Sequence, residues 1–186
     1  TCGIKAGDQL TLEDLLNGLL LYSGNDNAVA IADHIAGSTE KFAEMMNAEA
    51  KKLMATNSHF VNPSGLHDDN HYTTAYDLYL IFNECIKHDD FVKIINSSSY
   101  TAHITGADGT KRDVKWEPTN YYAKGEATPP DNVTIIGGKT GTTKGAGNCL
   151  ILLTKDSSGN PYISIIMGAG SKPLLYQDMT SMLSKI

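Results

Sequence analysis

The apolar residues change their spacing partway along this chain, and that change limits the folds open to it. In the first half they recur three and four residues apart. Leu12, Leu15, Leu16, Leu19 and Leu20 form such a row behind Thr11, an N-cap candidate with Asp14 three residues on. Asn27 to Ile35 predicts a second short helix ended by Gly37, and Lys41 to Leu53 a third with Phe42, Met45, Met46 and Leu53 on one face. Asn57 to Asn70 reads as a loop with a Pro63-Ser64-Gly65 turn. Thr74 to Ile86, with Tyr76, Leu80 and Phe82, returns to helix, as does the shorter stretch Phe91 to Ile95. From Tyr100 onward the pattern is that of strands. Tyr100 to Ile104 alternates, Ala107-Asp108-Gly109 suits a hairpin turn, and Asp113 to Trp116 is the return strand. Asn120 to Asn132 is expected to be a loop. Val133 to Ile136 is a β-branched run closed by Gly137-Gly138. Cys149 to Thr154 and Tyr162 to Met167 predict an antiparallel hairpin around a turn from Asp156 to Pro161, and Pro173 to Ile186 a final amphipathic helix. Helices first, then a mostly antiparallel sheet, then a covering helix is an α+β architecture. Residues 1–186 are expected to form one domain, mainly helical to about residue 98 and mainly sheet with a C-terminal helix after it.

Bulk properties narrow the function. With 41% hydrophobic residues in 186 the chain has enough apolar material for a packed core. A formal net charge of −6 without a basic cluster argues against a nucleic-acid partner, whose phosphates need a cationic surface. Cys2, Cys85 and Cys149 make no C-x-x-C pair, so neither zinc nor dithiol chemistry is indicated; Cys85 and Cys149 are expected as small core residues. His59, His67 and His71 share a loop with Asp68 and Asp69, but at no metal-ligand spacing, so a surface or structural role is expected and no metal. Trp116, Tyr121 and Tyr122 are expected to pack rather than to line a groove. No apolar run approaches a membrane helix, and the opening residues do not read as a signal peptide.

Two short motifs carry chemistry. Ser23-Gly24-Asn25 falls between the first two helices, and Lys139-Thr140-Gly141 follows Gly137-Gly138 on a strand. Either alone reads as a helix-linking turn or a solvated strand-end lysine. Together and in this order they resemble the second and third motifs of penicillin-binding proteins and serine β-lactamases. Longer strings extend the likeness: Leu12 to Asp26, His59-Phe60-Val61-Asn62-Pro63-Ser64-Gly65-Leu66, Thr74 to Leu78, and Gly137 to Gly147 resemble low-molecular-mass D-alanyl-D-alanine carboxypeptidases.

The resemblance implies a β-lactamase/transpeptidase-like fold and an acyl-enzyme reaction on peptidoglycan stem peptides, with β-lactams as inhibitors and no cofactor. It implies an extracytoplasmic location at the cell wall. Ser23 would relay a proton towards the leaving amine, and Asn25 would bind the substrate amide. Lys139 would place positive charge beside the relay and the substrate carboxylate, and Thr140 would offer its hydroxyl to that carboxylate. Gly141 would keep the strand edge open to an extended substrate, and the Thr142 N–H would be an oxyanion donor. The nucleophile of this family lies in a Ser-x-x-Lys well ahead of the Ser-x-Asn motif. None of the 22 residues before Ser23 is a serine. Ser38-Thr39-Glu40-Lys41 fits the pattern but follows Ser23 and opens a helix, which makes Ser38 an N-cap. The attacking group is therefore expected from a separate chain, from further sequence of the same protein, or from a swapped copy, and the domain as given to be partial and inactive alone. Some relatives also carry a carboxylate-binding arginine where this chain reads Gly168-Ala169-Gly170-Ser171-Lys172, leaving Lys172 as a substitute. A β-lactamase or esterase on the same fold, and a non-catalytic peptidoglycan-binding protein, are the alternatives.

Overall fold

The computed structural model describes residues 1–186. Its first helix, α1 (Leu12–Asn17), starts on the capping box read from the sequence. The Asp14 N–H donates to Thr11 Oγ1, and the Thr11 N–H donates back to Asp14 Oδ2. The helix then widens into a π turn (Gly18–Tyr22) before α2 (Asn25–Ala36) and α3 (Thr39–Lys52). Gly37 stops α2 in the left-handed conformation, and Ser38 Oγ accepts from the Lys41 N–H as the cap of α3. After the loop come α4 (Ala75–Cys85) and α5 (Asp89–Ile95).

The strands follow. β1 (Tyr100–Thr105) and β2 (Lys111–Trp116) pair as an antiparallel ribbon, with Tyr100 opposite Trp116. β3 (Val133–Thr143), β4 (Gly147–Asp156) and β5 (Pro161–Ala169) form a second antiparallel sheet in that order, so β3 and β5 are its edges. The last helix, α7 (Lys172–Leu183), crosses one face of this sheet. There Leu175, Tyr176, Met179 and Leu183 pack on Leu150 and Leu152. Alternation along β4 turns Leu153 to the other face, against Phe82 of α4 and Ile95 of α5. Helices on both faces of an antiparallel sheet make this an α+β protein. No helix is long and apolar enough to cross a membrane.

Several local expectations change. The leucine row of α1 is not a core face: Leu12 is 52% exposed and Leu15, Leu16, Leu19 and Leu20 are half-buried, while Asp14, Asn17, Gly18 and Leu21 point inward. α3 buries Ala43 and Ala50 and leaves Met45 exposed, and α4 buries Asp77 and Phe82 while Tyr76 is exposed. Cys85 and Cys149 are half-buried, and Cys2 is the thiol in a core. A one-turn helix, α6 (Tyr121–Lys124), sits inside the expected 120–132 loop, capped by Asn120.

The largest correction concerns β3. Gly137-Gly138 does not close it; the strand runs on to Thr143, with a bulge at Ile135–Gly137. A Cβ on Gly137 would lie 2.1 Å from the Ile95 carbonyl oxygen, so the glycine is what lets the end of α5 press on the strand. Gly137→Ala is expected to cost about 3 kcal/mol in urea unfolding, as overpacking against backbone does. Gly141→Ala meets only the Cys149 Cβ at 4.0 Å and is expected to stay within about 1 kcal/mol of the parent. Equal midpoints for the two variants would contradict this account.

Candidate active site

The π turn delivers Ser23 to the surface of the helical half. Its extra residue per turn shifts the chain out of α register, and such turns recur at functional sites. Ser23 caps it in a left-handed conformation (φ 68°), unfavourable for a residue with a Cβ. The N–H groups of Ser23 and Gly24 both donate to the Gly18 carbonyl. Gly24 is pinned behind: a Cβ there would lie 2.4 Å from Asn27 Oδ1 and 2.5 Å from Cys2 Sγ. In the first turn of α2, the Asp26 carboxylate accepts the N–H groups of Cys2, Gly3 and Ile4 at 2.7, 2.8 and 3.2 Å. The chain start is thereby tied to the turn that carries Ser23.

β3 supplies the facing wall. Lys139 Nζ donates to Ser23 Oγ at 2.5 Å and to the Thr140 carbonyl at 2.6 Å. These residues are 116 apart in sequence, and the contact joins the helical half to the sheet. Lys139 keeps some surface open to the cleft, yet the surrounding protein desolvates its ammonium and pushes its pKa down to about 8 from 10.5.

Ser23, Asn25, Lys139, Thr140, Gly141 and Thr142 all line one cleft of about 420 Å³. All six site residues expected from the sequence are thus brought together. Ser38 and Lys41 are elsewhere, at the start of α3.

The structure adds residues that sequence motifs do not mark. Ser64, Gly65 and Leu66 form one lip. Asn62 builds it: its Oδ1 accepts the N–H groups of Ser64 and Gly65, and its Nδ2 donates to the Leu66 carbonyl. The string around Asn62 signals the family but carries no chemical signature of its own. Tyr121 lines the cleft instead of packing away from it, stacked on Tyr176 at 4.6 Å between ring centroids. Trp116 and Tyr122 are buried, as expected. Lys172 is on the cleft wall, its ammonium 5.6 Å from the Tyr121 ring centroid. Thr119 and Cys149 also line it, and neither belongs to a motif. The loop histidines have structural partners: His59 bonds the Asn70 carbonyl and His71 Nδ1 accepts the Val61 N–H.

Comparison with known proteins follows the same lines. Residues 2–171 match the family described as D-alanyl-D-alanine carboxypeptidase. The chain is 30% identical over 185 residues to the D-alanyl-D-alanine carboxypeptidase DacF of Bacillus subtilis, an alignment covering 97% of this chain and 43% of that protein. It is 34% identical over 170 residues to DacD of Escherichia coli, covering 90% of this chain and 40% of the relative. The chain therefore spans less than half the length of these relatives. Among solved structures, a Streptomyces DD-transpeptidase superposes with a TM-score of 0.89 at 29% identity, covering 99% of this chain and 70% of that one.

Burial of the Lys139 ammonium fixes a pH dependence. The unfolded chain holds this proton up to about pH 10.5 and the folded chain only to about 8. Below pH 8 both states are charged and the desolvation cost is fully present. Between the two values the unfolded state binds more protons, so stability rises with pH. Lys139→Met is expected to raise stability at pH 7 by on the order of 2 kcal/mol, after discounting for solvent in the cleft. Thermal melts from pH 7 to 10.5 should show that advantage shrinking with pH. A constant difference would mean that burial does not set the lysine's charge.

Proposed function

The chain belongs to the D-alanyl-D-alanine carboxypeptidase family, and from that premise we propose that it forms two walls of the active site of a serine-type D-Ala-D-Ala carboxypeptidase. The enzyme would trim peptidoglycan stem peptides on the outer side of the cytoplasmic membrane. The observation that carries this reading is the short bond from Lys139 to Ser23 inside a cleft that also holds Asn25 and Thr140.

The chemistry follows from those groups. A serine hydroxyl attacks the carbonyl of the penultimate D-Ala and forms an ester, and D-Ala leaves as an amine that needs a proton. Ser23 hands its hydroxyl proton to that nitrogen and is resupplied by Lys139, which in turn regains the proton that the attacking hydroxyl releases on forming the ester. An ammonium held near pKa 8 gives up and regains a proton near neutral pH more readily than one at 10.5. Asn25 binds the peptide amide, and Thr140 with its cationic surroundings takes the terminal carboxylate. The free edge of β3 lets the peptide lie alongside as an added strand, with Gly141 offering no side chain in its way. The Thr142 N–H would be an oxyanion donor. Water then hydrolyses the ester, whereas a β-lactam acylates the same serine by opening its ring, keeps its amine attached and is not released.

The attacking serine, in a Ser-x-x-Lys segment, comes from outside these 186 residues. The half-buried leucine row of α1 and the unpaired edge of β5 suit the packing of such a segment.

Fluorescent penicillin tests the reading. Stable labelling is expected only for a form that includes a Ser-x-x-Lys segment, together with D-Ala release from a D-Ala-D-Ala peptide. Ser23→Ala and Lys139→Ala should each lower the acylation rate by roughly 10²–10⁴-fold, the range for lost proton transfer. Rapid loss of label would instead indicate a β-lactamase, and absence of label from every form a non-catalytic binding protein.

A further inference from the structure

Two hydroxyls meet on the cleft wall where only one belongs to a motif. Thr119 Oγ1 lies 2.5 Å from Thr140 Oγ1, and both residues line the cleft. Thr119 sits in the link between β2 and α6. Its backbone N–H donates to the Leu21 carbonyl at 3.1 Å, two residues before Ser23. One residue thus spans both walls: its main chain is tied to the π turn and its side chain to the strand. The Thr140 carbonyl accepts from the Lys139 ammonium, and the Thr140 hydroxyl is the side-chain group it offers to a ligand in the cleft.

A hydroxyl carries one proton and two lone pairs. Were Thr140 to donate to Thr119, it would face the cleft as an acceptor and repel an anion. When Thr119 donates, Thr140 keeps its own proton for the ligand, and the two successive bonds polarise one another. The desolvated ammonium beside this pair favours an anionic ligand and therefore the second arrangement.

We infer that Thr119 is a positioning residue, which donates to Thr140 Oγ1 and so orients the Thr140 hydroxyl as a donor to the C-terminal carboxylate of the bound peptide. This rests on the cleft being an acyl-D-Ala-D-Ala site, and it assigns selection of a free carboxylate over an amide to a residue outside both motifs.

The test compares a diacylated D-Ala-D-Ala peptide with its C-terminal amide on the intact protein, by calorimetric binding and steady-state turnover. The parent binds the acid more tightly. Thr119→Val keeps the shape and removes the hydroxyl. It is expected to raise Kd and KM for the acid roughly five- to tenfold, the worth of one such hydrogen bond, with kcat moving less than KM and the amide changing under about twofold. Thr119→Ser restores the preference. Unchanged acid binding in Thr119→Val, equal weakening of acid and amide, or no rescue by serine would overturn this inference and leave the proposed function standing. A parent protein that binds neither peptide would overturn both.

Discussion

Removing a lysine ammonium from water costs a fold stability, and only acceptors already in place offset part of that cost. Lys139 finds Ser23 Oγ and the Thr140 carbonyl. The first is supplied by the helical half and the second by the strand itself, so the bond forms only when both halves are correctly placed. Much of the surrounding structure serves that placement. On the helical side, Gly24 packs without a side chain against Asn27 and Cys2, and Asp26 gathers three N–H groups of the chain start around the turn. The charge on Asp26 also suits the first turn of α2, where unpaired N–H groups favour an anion.

The opposite wall depends on a different constraint, the close approach of backbone to backbone. Gly137 accepts the end of α5 against the strand, and the bulge beside it bends β3 before Lys139 is reached. α7 holds the far face through Leu175, Met179 and Leu183. Its Tyr176 also accepts the Tyr121 N–H on its hydroxyl and stacks on that ring, which sets the end of the cleft. Core packing and the cleft wall are therefore parts of one layer, and disturbance of α7 would be felt at Tyr121 and Lys172.

Family membership, order of elements and six cleft residues were legible because they are local. Thr11 with Asp14, Ser38 and Gly37 announce helix ends through bonds spanning three or four residues, and alternation announces β4 and β5. Depth of burial was less legible. Leu12 and Met45 sit on apolar faces by periodicity, yet a helix is covered only where another element happens to lie. The π turn was hidden because it differs from an α turn only in hydrogen-bond register.

The sequence by itself determined which side chains the two motifs supply and in what order, since tripeptides and their flanking strings are properties of contiguous residues. It also determined that β3 carries glycines, though not that the strand passes through them, because a glycine reads as a break until a neighbour such as Ile95 is seen pressing on it. Only the tertiary structure decided that Lys139 and Ser23 touch, that burial lowers the lysine's pKa, and that Thr119 bridges the walls. Those are contacts between segments 21 to 116 residues apart. They follow from how the layers pack, and no local pattern encodes that packing.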